Sequence, residues 1–233
     1  MNPKIGSQQL TLKPGVRMGT SLRGSLAHDY DARGSGNSNL VLTYSPKSNK
    51  DVVLKSRIEY HNFLLCEANP EIAFVEYGAN CWGMLQENEL TEIRTSAIIT
   101  LTSGEKKAIV VGYEKKPTLE GKICFITNAI TTGIPLVSIC SDEIYENPML
   151  IQNWNRIIPW MTQICHIPVT IYLAPVLAAA KSEEITMWDI LSMGSQDEQA
   201  FYAGAAFKAV QTGILSSDLN SRPLSLRSVF RTW

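Results

Sequence analysis

A run of seven residues, Ile134–Cys140, constrains the fold of this chain more than any other segment. The run is apolar along nearly its whole length, and polar side chains do not alternate along it. Such a pattern is typical of a strand that is buried on both faces in a parallel sheet. A strand of this kind must lie in a larger sheet that is covered by helices, which favours an α/β fold.

Upstream segments supply the other strands of such a sheet. Four of them have the apolar and β-branched composition of strands: Ile72–Tyr77, Cys81–Leu85, Glu92–Leu101 and Lys106–Glu114. The turn residues Thr102–Glu105 join the last two into a predicted hairpin.

Helical periodicity predicts two helices, one before these strands and one between the hairpin and Ile134–Cys140. One covers Asp51–Cys66, behind a capping box at Ser48–Asp51, where we expect regular structure to begin. The other covers Thr118–Thr131 and ends at Gly133. Together these elements predict an α/β domain over residues 48–165, with a mixed sheet and flanking helices.

The last third of the chain has a different pattern. It predicts helices at Asn147–Met161, at Thr186–Met193 and from Ser195 to about Thr212, followed by a strand at Leu224–Phe230. Helices followed by a β ribbon are the order found in a winged helix. We therefore predict a small, winged-helix-like α+β domain over residues 166–233.

Charge is distributed unevenly along the chain, whose formal net charge is −1. The first 50 residues carry seven Lys or Arg and two Asp, a net of +5, and they are rich in Gly, Ser and Asn. This composition predicts a flexible basic arm over residues 1–47. The candidate contacts to DNA phosphates are Lys47 and Lys50 at the end of this segment, and Arg222 and Arg227 on the predicted ribbon. A solvated tail and a solvated edge are the alternative interpretations.

Composition excludes several classes of protein. No apolar run approaches the ~18 residues of a membrane span, and Met1–Lys4 lacks the apolar core of a signal peptide. We therefore expect a cytoplasmic protein without a membrane partner. The five cysteines form no CxxC pair, which argues against a zinc site or a disulfide framework.

Three residues could belong to a metal-dependent nuclease. Such enzymes hold Mg²⁺ with a Glu on a helix and an Asp on a strand, and a Glu/Gln-x-Lys follows on the next strand. Glu59 lies within the first predicted helix, and Glu114–Lys116 ends the returning strand, so Glu114 and Lys116 are expected to share a face. The alternative is ordinary surface chemistry, because Glu-x-Lys is common on exposed strands and Glu59 could be a solvated helix residue.

In this arrangement the chain resembles TnsA, the endonuclease subunit of heteromeric DNA transposases. Ser45–Lys50 followed by Ser56–Glu59 is similar to the family's basic approach and the helix with its first catalytic Glu. Thr95–Ala97 and Glu114–Pro117 are similar to the family's Thr/Pro-Asp-Phe and Glu/Gln-Val-Lys-Pro strands. Two later stretches resemble the end of the nuclease domain and the C-terminal helix and wing, namely Gly133–Val137 and Ala206–Leu219.

The resemblance implies a restriction-endonuclease-like (PD-(D/E)xK) mixed sheet, with Glu59 and Glu114 as ligands of Mg²⁺ or Mn²⁺ and Lys116 beside the attacking water. The family's metal-binding Asp falls on Ser96, which cannot supply a carboxylate charge. Matching Glu114 and Lys116 to the family also requires a short insertion in the hairpin. Without this insertion, Gly112 and Glu114 align instead.

TnsA-like subunits cut the 5′ ends of a transposon, and a partner transposase cuts and joins the 3′ ends. The resemblance thus implies three partners: transposon-end DNA, a TnsB-like transposase and a TnsC-like AAA+ regulator. One hypothesis is an active, metal-dependent endonuclease. A second is a catalytically degenerate assembly and DNA-binding subunit, and a third is a restriction-like nuclease of a defence system that works without transposase partners.

Overall fold

The computed structural model of the chain describes residues 40–86, 89–116, 123–125 and 133–232. The strands in this part of the chain are β1 (Val41–Ser45), β2 (Lys50–Leu54), β3 (Ile72–Tyr77), β4 (Asn80–Gln86), β5 (Glu89–Arg94), β6 (Ala97–Leu101), β7 (Lys106–Gly112), β8 (Ile123–Phe125), β9 (Ile134–Cys140), β10 (Ile185–Thr186), β11 (Ser216–Ser217) and β12 (Val229–Arg231). The helices are α1 (Arg57–Ala68), α2 (Ser141–Ile144), α3 (Pro148–Gln163), α4 (Thr170–Ser182), α5 (Met187–Leu191) and α6 (Gln199–Gln211).

A mixed seven-stranded sheet lies at the centre, in the order β3-β6-β7-β9-β8-β4-β5. The strand predicted at Ile134–Cys140 is confirmed as β9, and it pairs in parallel with β7. The other neighbouring strands of this sheet pair antiparallel. The predicted α/β class with a mixed sheet is therefore correct.

Side chains alternate across the neighbouring strands β6 and β7. Ile98 and Ala108 belong to the apolar cluster on one face, and Ala97 and Ile109 belong to the cluster on the other. Successive residues of a strand point to opposite faces, and here the residues on both faces are apolar and buried. Cys66 of α1 is part of the second cluster, so this helix covers that face.

The largest apolar cluster is built mainly by helices. It includes Phe63 from α1, Trp154 from α3, Phe207 from α6 and Phe230 from β12, each at most 1% exposed. These residues come from both sides of the domain boundary expected between residues 165 and 166, and that division remains a prediction. None of the helices in the described part of the chain is long and apolar enough to cross a membrane.

The first predicted helix begins later than expected. Residues Lys50–Leu54 form β2, which pairs antiparallel with β1, and the helix starts only at Arg57. Val52 and Leu54 are buried whereas Val53 between them is less so, and this period of two favours a strand. Regular structure thus begins upstream of Ser48, within the segment predicted as a flexible arm. The part of that arm before residue 40 lies outside the described residues.

Other expectations also differ from the structure. The single strand predicted at Glu92–Leu101 is two strands, because the chain passes from one sheet position to another at Thr95 and Ser96. The helix predicted at Thr118–Thr131 is wrong at Ile123–Phe125, which forms β8, and its other residues lie outside the described residues. Helix α4 was not predicted at all, since Pro175 interrupts its pattern.

A buried carboxylate, Glu67 on α1, joins four parts of the structure. Its Oε1 accepts hydrogen bonds from the Ser45 hydroxyl at 2.6 Å and from the Tyr77 hydroxyl at 3.0 Å. Its Oε2 accepts from the Lys47 backbone N–H at 3.1 Å and from Gln211 Nε2 at 2.8 Å. Burial raises the pKa of Glu67, and the hydrogen bonds from Ser45, Lys47 and Tyr77 oppose that effect. Hairpin β1–β2, strand β3 and helix α6 are thereby tied to α1.

We predict that Glu67→Gln lowers the free energy of unfolding by about 2–4 kcal/mol, because the amide nitrogen would face groups that already donate. Denaturant unfolding followed by circular dichroism measures this change. Glu71→Gln is the matched control, since Glu71 is exposed and should change stability by less than about 0.5 kcal/mol. Equal stability of the two variants would contradict a supporting role for the network.

Candidate functional site

Glu59 lies at the start of α1, where it caps the helix. Ser56 is the N-cap, and its hydroxyl accepts the Glu59 backbone N–H at 3.2 Å. The Glu59 carboxylate reaches back and accepts the Lys55 N–H at 2.6 Å. This is close to the reciprocal arrangement of a capping box, which satisfies the first N–H groups of a helix. The chain therefore has a structural reason for a glutamate at this position.

Arg94, at the end of β5, forms an ion pair with the other oxygen of the Glu59 carboxylate. Its Nη1 lies 3.1 Å from Glu59 Oε1, and the two side chains are 32% and 12% exposed, respectively. At this degree of burial the pair is screened less than a surface ion pair. Arg94 was not among the residues predicted from the sequence. The available signal was a basic residue two positions before Ser96.

Ser96 occupies a buried position where β6 begins, and its polar groups are used within the sheet. Its backbone N–H donates to Ile109 O at 2.8 Å, and its hydroxyl accepts the Val111 N–H at 3.1 Å. Its backbone carbonyl accepts the Gly78 N–H at 3.2 Å. Ser96 thus fills a gap in the ladder between β6 and β7, where it bonds to the backbone.

Glu114 and Lys116 do not share a strand face, because β7 ends at Gly112. Both residues are exposed in the segment that follows the strand. The Lys116 backbone N–H donates to the buried Ser138 hydroxyl at 2.9 Å, which fixes the chain there. The expectation of a Glu-x-Lys pair on one strand is therefore wrong.

The donor set around Glu59 does not fit the Mg²⁺ or Mn²⁺ centre that the resemblance implies. Mg²⁺ requires several oxygen ligands, and carboxylates are the usual protein donors. Among the described residues, no group of three or more His, Cys, Asp or Glu side chains could hold a metal ion. Glu59 is already engaged by an arginine, and Ser96 is neutral. The described residues therefore form an internal ion pair between Glu59 and Arg94 at this place.

A polar cleft of about 470 Å³ opens next to this ion pair. Lys50, Lys55 and Arg94 contribute positive charge to its lining, and Asp51 contributes a negative one. Lys50 is exposed at the start of β2, as expected for a residue that could contact a phosphate. Lys50, one of the residues predicted to contact DNA, therefore lines the same cleft as Arg94.

Lys47 is engaged by the protein itself. Its ammonium donates to the backbone carbonyls of Asn69 and Ile72. Burial lowers the pKa of Lys47 to about 8, although the nearby Glu67 carboxylate opposes this shift. These contacts give Lys47 a role in holding the turn between β1 and β2, and its contact with DNA remains a prediction.

Arg222 and Arg227 lie on the exposed connection between β11 and β12. Buried Asn153 of α3 holds this connection: its Nδ2 donates to the carbonyls of Leu219 and Arg222, both at 2.7 Å. The Arg222 guanidinium lies 4.0 Å from Asp218, at the limit of an ion pair. Both arginines can therefore reach a partner, and their contact with DNA is untested.

We predict that Glu59 and Arg94 are energetically coupled by about 1 kcal/mol in a double-mutant cycle of Glu59→Gln and Arg94→Gln. Either single substitution removes the attraction between the two half-buried side chains. The loss in free energy of unfolding should therefore be smaller in the double variant than the sum of the losses in the two single variants. Chemical unfolding of the four proteins measures the coupling. The exposed pair Arg231–Glu184, at 3.0 Å, is the control and should couple less. Additive single effects would contradict the ion pair.

Comparison with known proteins assigns no family to the chain. No protein-family model matches it, and no curated protein matches it. Conclusions about function therefore depend on the contacts of Glu59, Arg94 and Ser96 and on the exposed basic residues.

Proposed function

We propose that this chain is a DNA-binding assembly subunit of a DNA transposition complex, related to TnsA-type subunits, in which the nuclease centre has degenerated. One observation carries the proposal: the Glu59 carboxylate is paired with Arg94 at 3.1 Å. A guanidinium supplies the positive charge that a metal ion would bring, and unlike a metal ion it cannot activate a bound water. Ser96 supports the same proposal, because its hydroxyl binds the Val111 N–H.

The proposal includes the finer architecture. The mixed sheet, with α1 packed on one face, is the restriction-endonuclease-like part, and residues 166–233 form the winged-helix-like part. Residues 166–233 include the small antiparallel sheet β10-β12-β11, which is consistent with a wing. By resemblance, a TnsB-like transposase and a TnsC-like AAA+ regulator are the protein partners.

DNA binding in this proposal depends on exposed cations. Lys50 contributes to the cleft beside Glu59, and Arg222 and Arg227 lie on the connection before β12. Contacts of this kind attach to the phosphate backbone, release counterions and carry little sequence information. The subunit would thus hold DNA while its partners cut and join the strands.

We expect calorimetric titration with Mg²⁺ and Mn²⁺ to show no stoichiometric binding to the chain. Ser96→Asp combined with Arg94→Gln should gain a binding event, because it restores a second carboxylate and releases Glu59. Glu71→Gln is the control for non-specific binding to exposed acids. One equivalent of metal bound by the unaltered chain and lost in Glu59→Ala would overturn degeneracy and support the endonuclease that cuts transposon 5′ ends.

We expect fluorescence anisotropy to detect binding to duplex DNA that is unchanged by a metal chelator. Lys50→Gln should lower the slope of log K against log salt by about 1, because one phosphate contact is lost. Lys106→Gln, an exposed cation at the far end of the β6–β7 hairpin, is the control and should leave the slope unchanged. A chain that binds no DNA at low salt would contradict the proposed function.

A further inference from the structure

A second cleft, of about 500 Å³, lies on the opposite side of α1 from Glu59. It runs between α1, the start of α3 and the segment after α2. Its size lies within the range of about 300–1,000 Å³ that is usual for small-molecule sites. Its lining residues are Val41, Arg57, Tyr60, His61, Leu64, Tyr145, Pro148, Ile151, Gln152 and Asn155.

Aromatic side chains form the walls of this cleft, and hydrogen bonds hold them in place. The rings of His61 and Tyr145 meet edge to face, with centroids 5.3 Å apart and an interplanar angle of 80°. His61 Nδ1 lies 2.9 Å from the Tyr145 hydroxyl. The Tyr60 hydroxyl donates to Asn155 Oδ1 at 2.6 Å. Such pre-ordered rings can accept a flat aromatic group with little loss of side-chain entropy.

The charge of the cleft favours an anion. Among the described residues that line it, none is acidic, and Arg57 is exposed at the first position of α1. No ion pair with Arg57 occurs in the part of the chain that the structure describes. Burial, and secondarily the charge of Arg57, lower the pKa of His61. Arg57 is therefore available to bind a phosphate.

The remaining polar groups suit the edge of a heterocycle. Gln152 and Asn155 lie three residues apart on α3, so their amides are neighbours on one helix face. The Gln152 amide offers both a donor and an acceptor, as do the edges of nucleobases. The Asn155 amide contributes its Nδ2 donor, because its Oδ1 accepts the Tyr60 hydroxyl. Ile151 and Leu64 supply an apolar surface beside these amides, and both are buried.

We propose that this cleft binds a nucleotide, with its base against Tyr60, His61 and Tyr145 and its phosphate on Arg57. The ligand chemistry is a heteroaromatic base with an adjacent phosphate. A free mononucleotide and the phosphorylated end of a nucleic-acid strand both have it. The proposal goes beyond the transposition role and does not depend on it, because the cleft and the Glu59–Arg94 pair lie on different sides of α1.

The test uses the full chain and four probes: AMP, adenosine, inorganic phosphate and a 5′-phosphorylated single-stranded oligonucleotide. NMR records the ring signals of the histidines, which number three in the chain and are assigned with His61→Gln. We expect AMP to shift the His61 signals in a saturable manner. Adenosine and inorganic phosphate should each bind about tenfold more weakly, since each lacks one half of the ligand.

Arg57→Gln should weaken AMP binding about tenfold while leaving adenosine binding unchanged. Arg156→Gln is the matched control, because Arg156 is exposed on α3 and does not line the cleft. The strand end is the ligand if only the 5′-phosphorylated oligonucleotide shifts His61 and Arg57→Gln abolishes the shift, an outcome that supports the proposal.

The proposal is overturned if no probe shifts the His61 signals, if inorganic phosphate binds as tightly as AMP, or if Arg57→Gln has no effect. Duplex-DNA anisotropy is measured on Arg57→Gln in parallel. Unchanged duplex binding alongside lost AMP binding separates this site from the proposed DNA-binding surface, so each proposal can fail without the other.

Discussion

The buried carboxylate of Glu67 is the interaction on which the rest of the structure depends. Its oxygens accept hydrogen bonds from Ser45, Lys47, Tyr77 and Gln211, which belong to the β1–β2 hairpin, β3 and α6. A buried carboxylate is stable only when hydrogen-bond donors surround it. Removing one of these donors would leave part of its desolvation penalty uncompensated. This requirement couples the N-terminal hairpin to a C-terminal helix that lies far away in sequence.

Helix α1, which Glu67 holds in place, has two different surfaces. Glu59 faces Arg94 and the polar cleft that includes Lys50, whereas Arg57 and His61 face the aromatic cleft. Residues two positions apart on a helix point to nearly opposite sides, so neighbouring residues at one helix end serve separate sites. The first surface contains the Glu59–Arg94 pair, on which the proposed loss of nuclease activity rests. The second surface contains the proposed nucleotide site.

Several elements could be predicted from the sequence because their patterns have one interpretation. Ile72–Tyr77 and Ile134–Cys140 are strands with the predicted bounds. Asp51–Leu54 was assigned to a helix because a short apolar run fits either period. Antiparallel pairing with β1 makes this segment a strand, and β1 lies in a segment whose composition suggested no regular structure.

In the candidate site, too, some features could be predicted from the sequence and others could not. The sequence by itself determined the α/β class, the serine at position 96 where the resemblance implies a carboxylate, and the position of Glu59 within a helix. Only the tertiary structure decided what Glu59 contacts, because Arg94 reaches it from β5 across 35 residues of chain. It also ended β7 before Glu114 and brought Tyr145 against His61. Local patterns encode helix, strand and turn, whereas ion pairs and clefts arise from long-range packing that one sequence does not display.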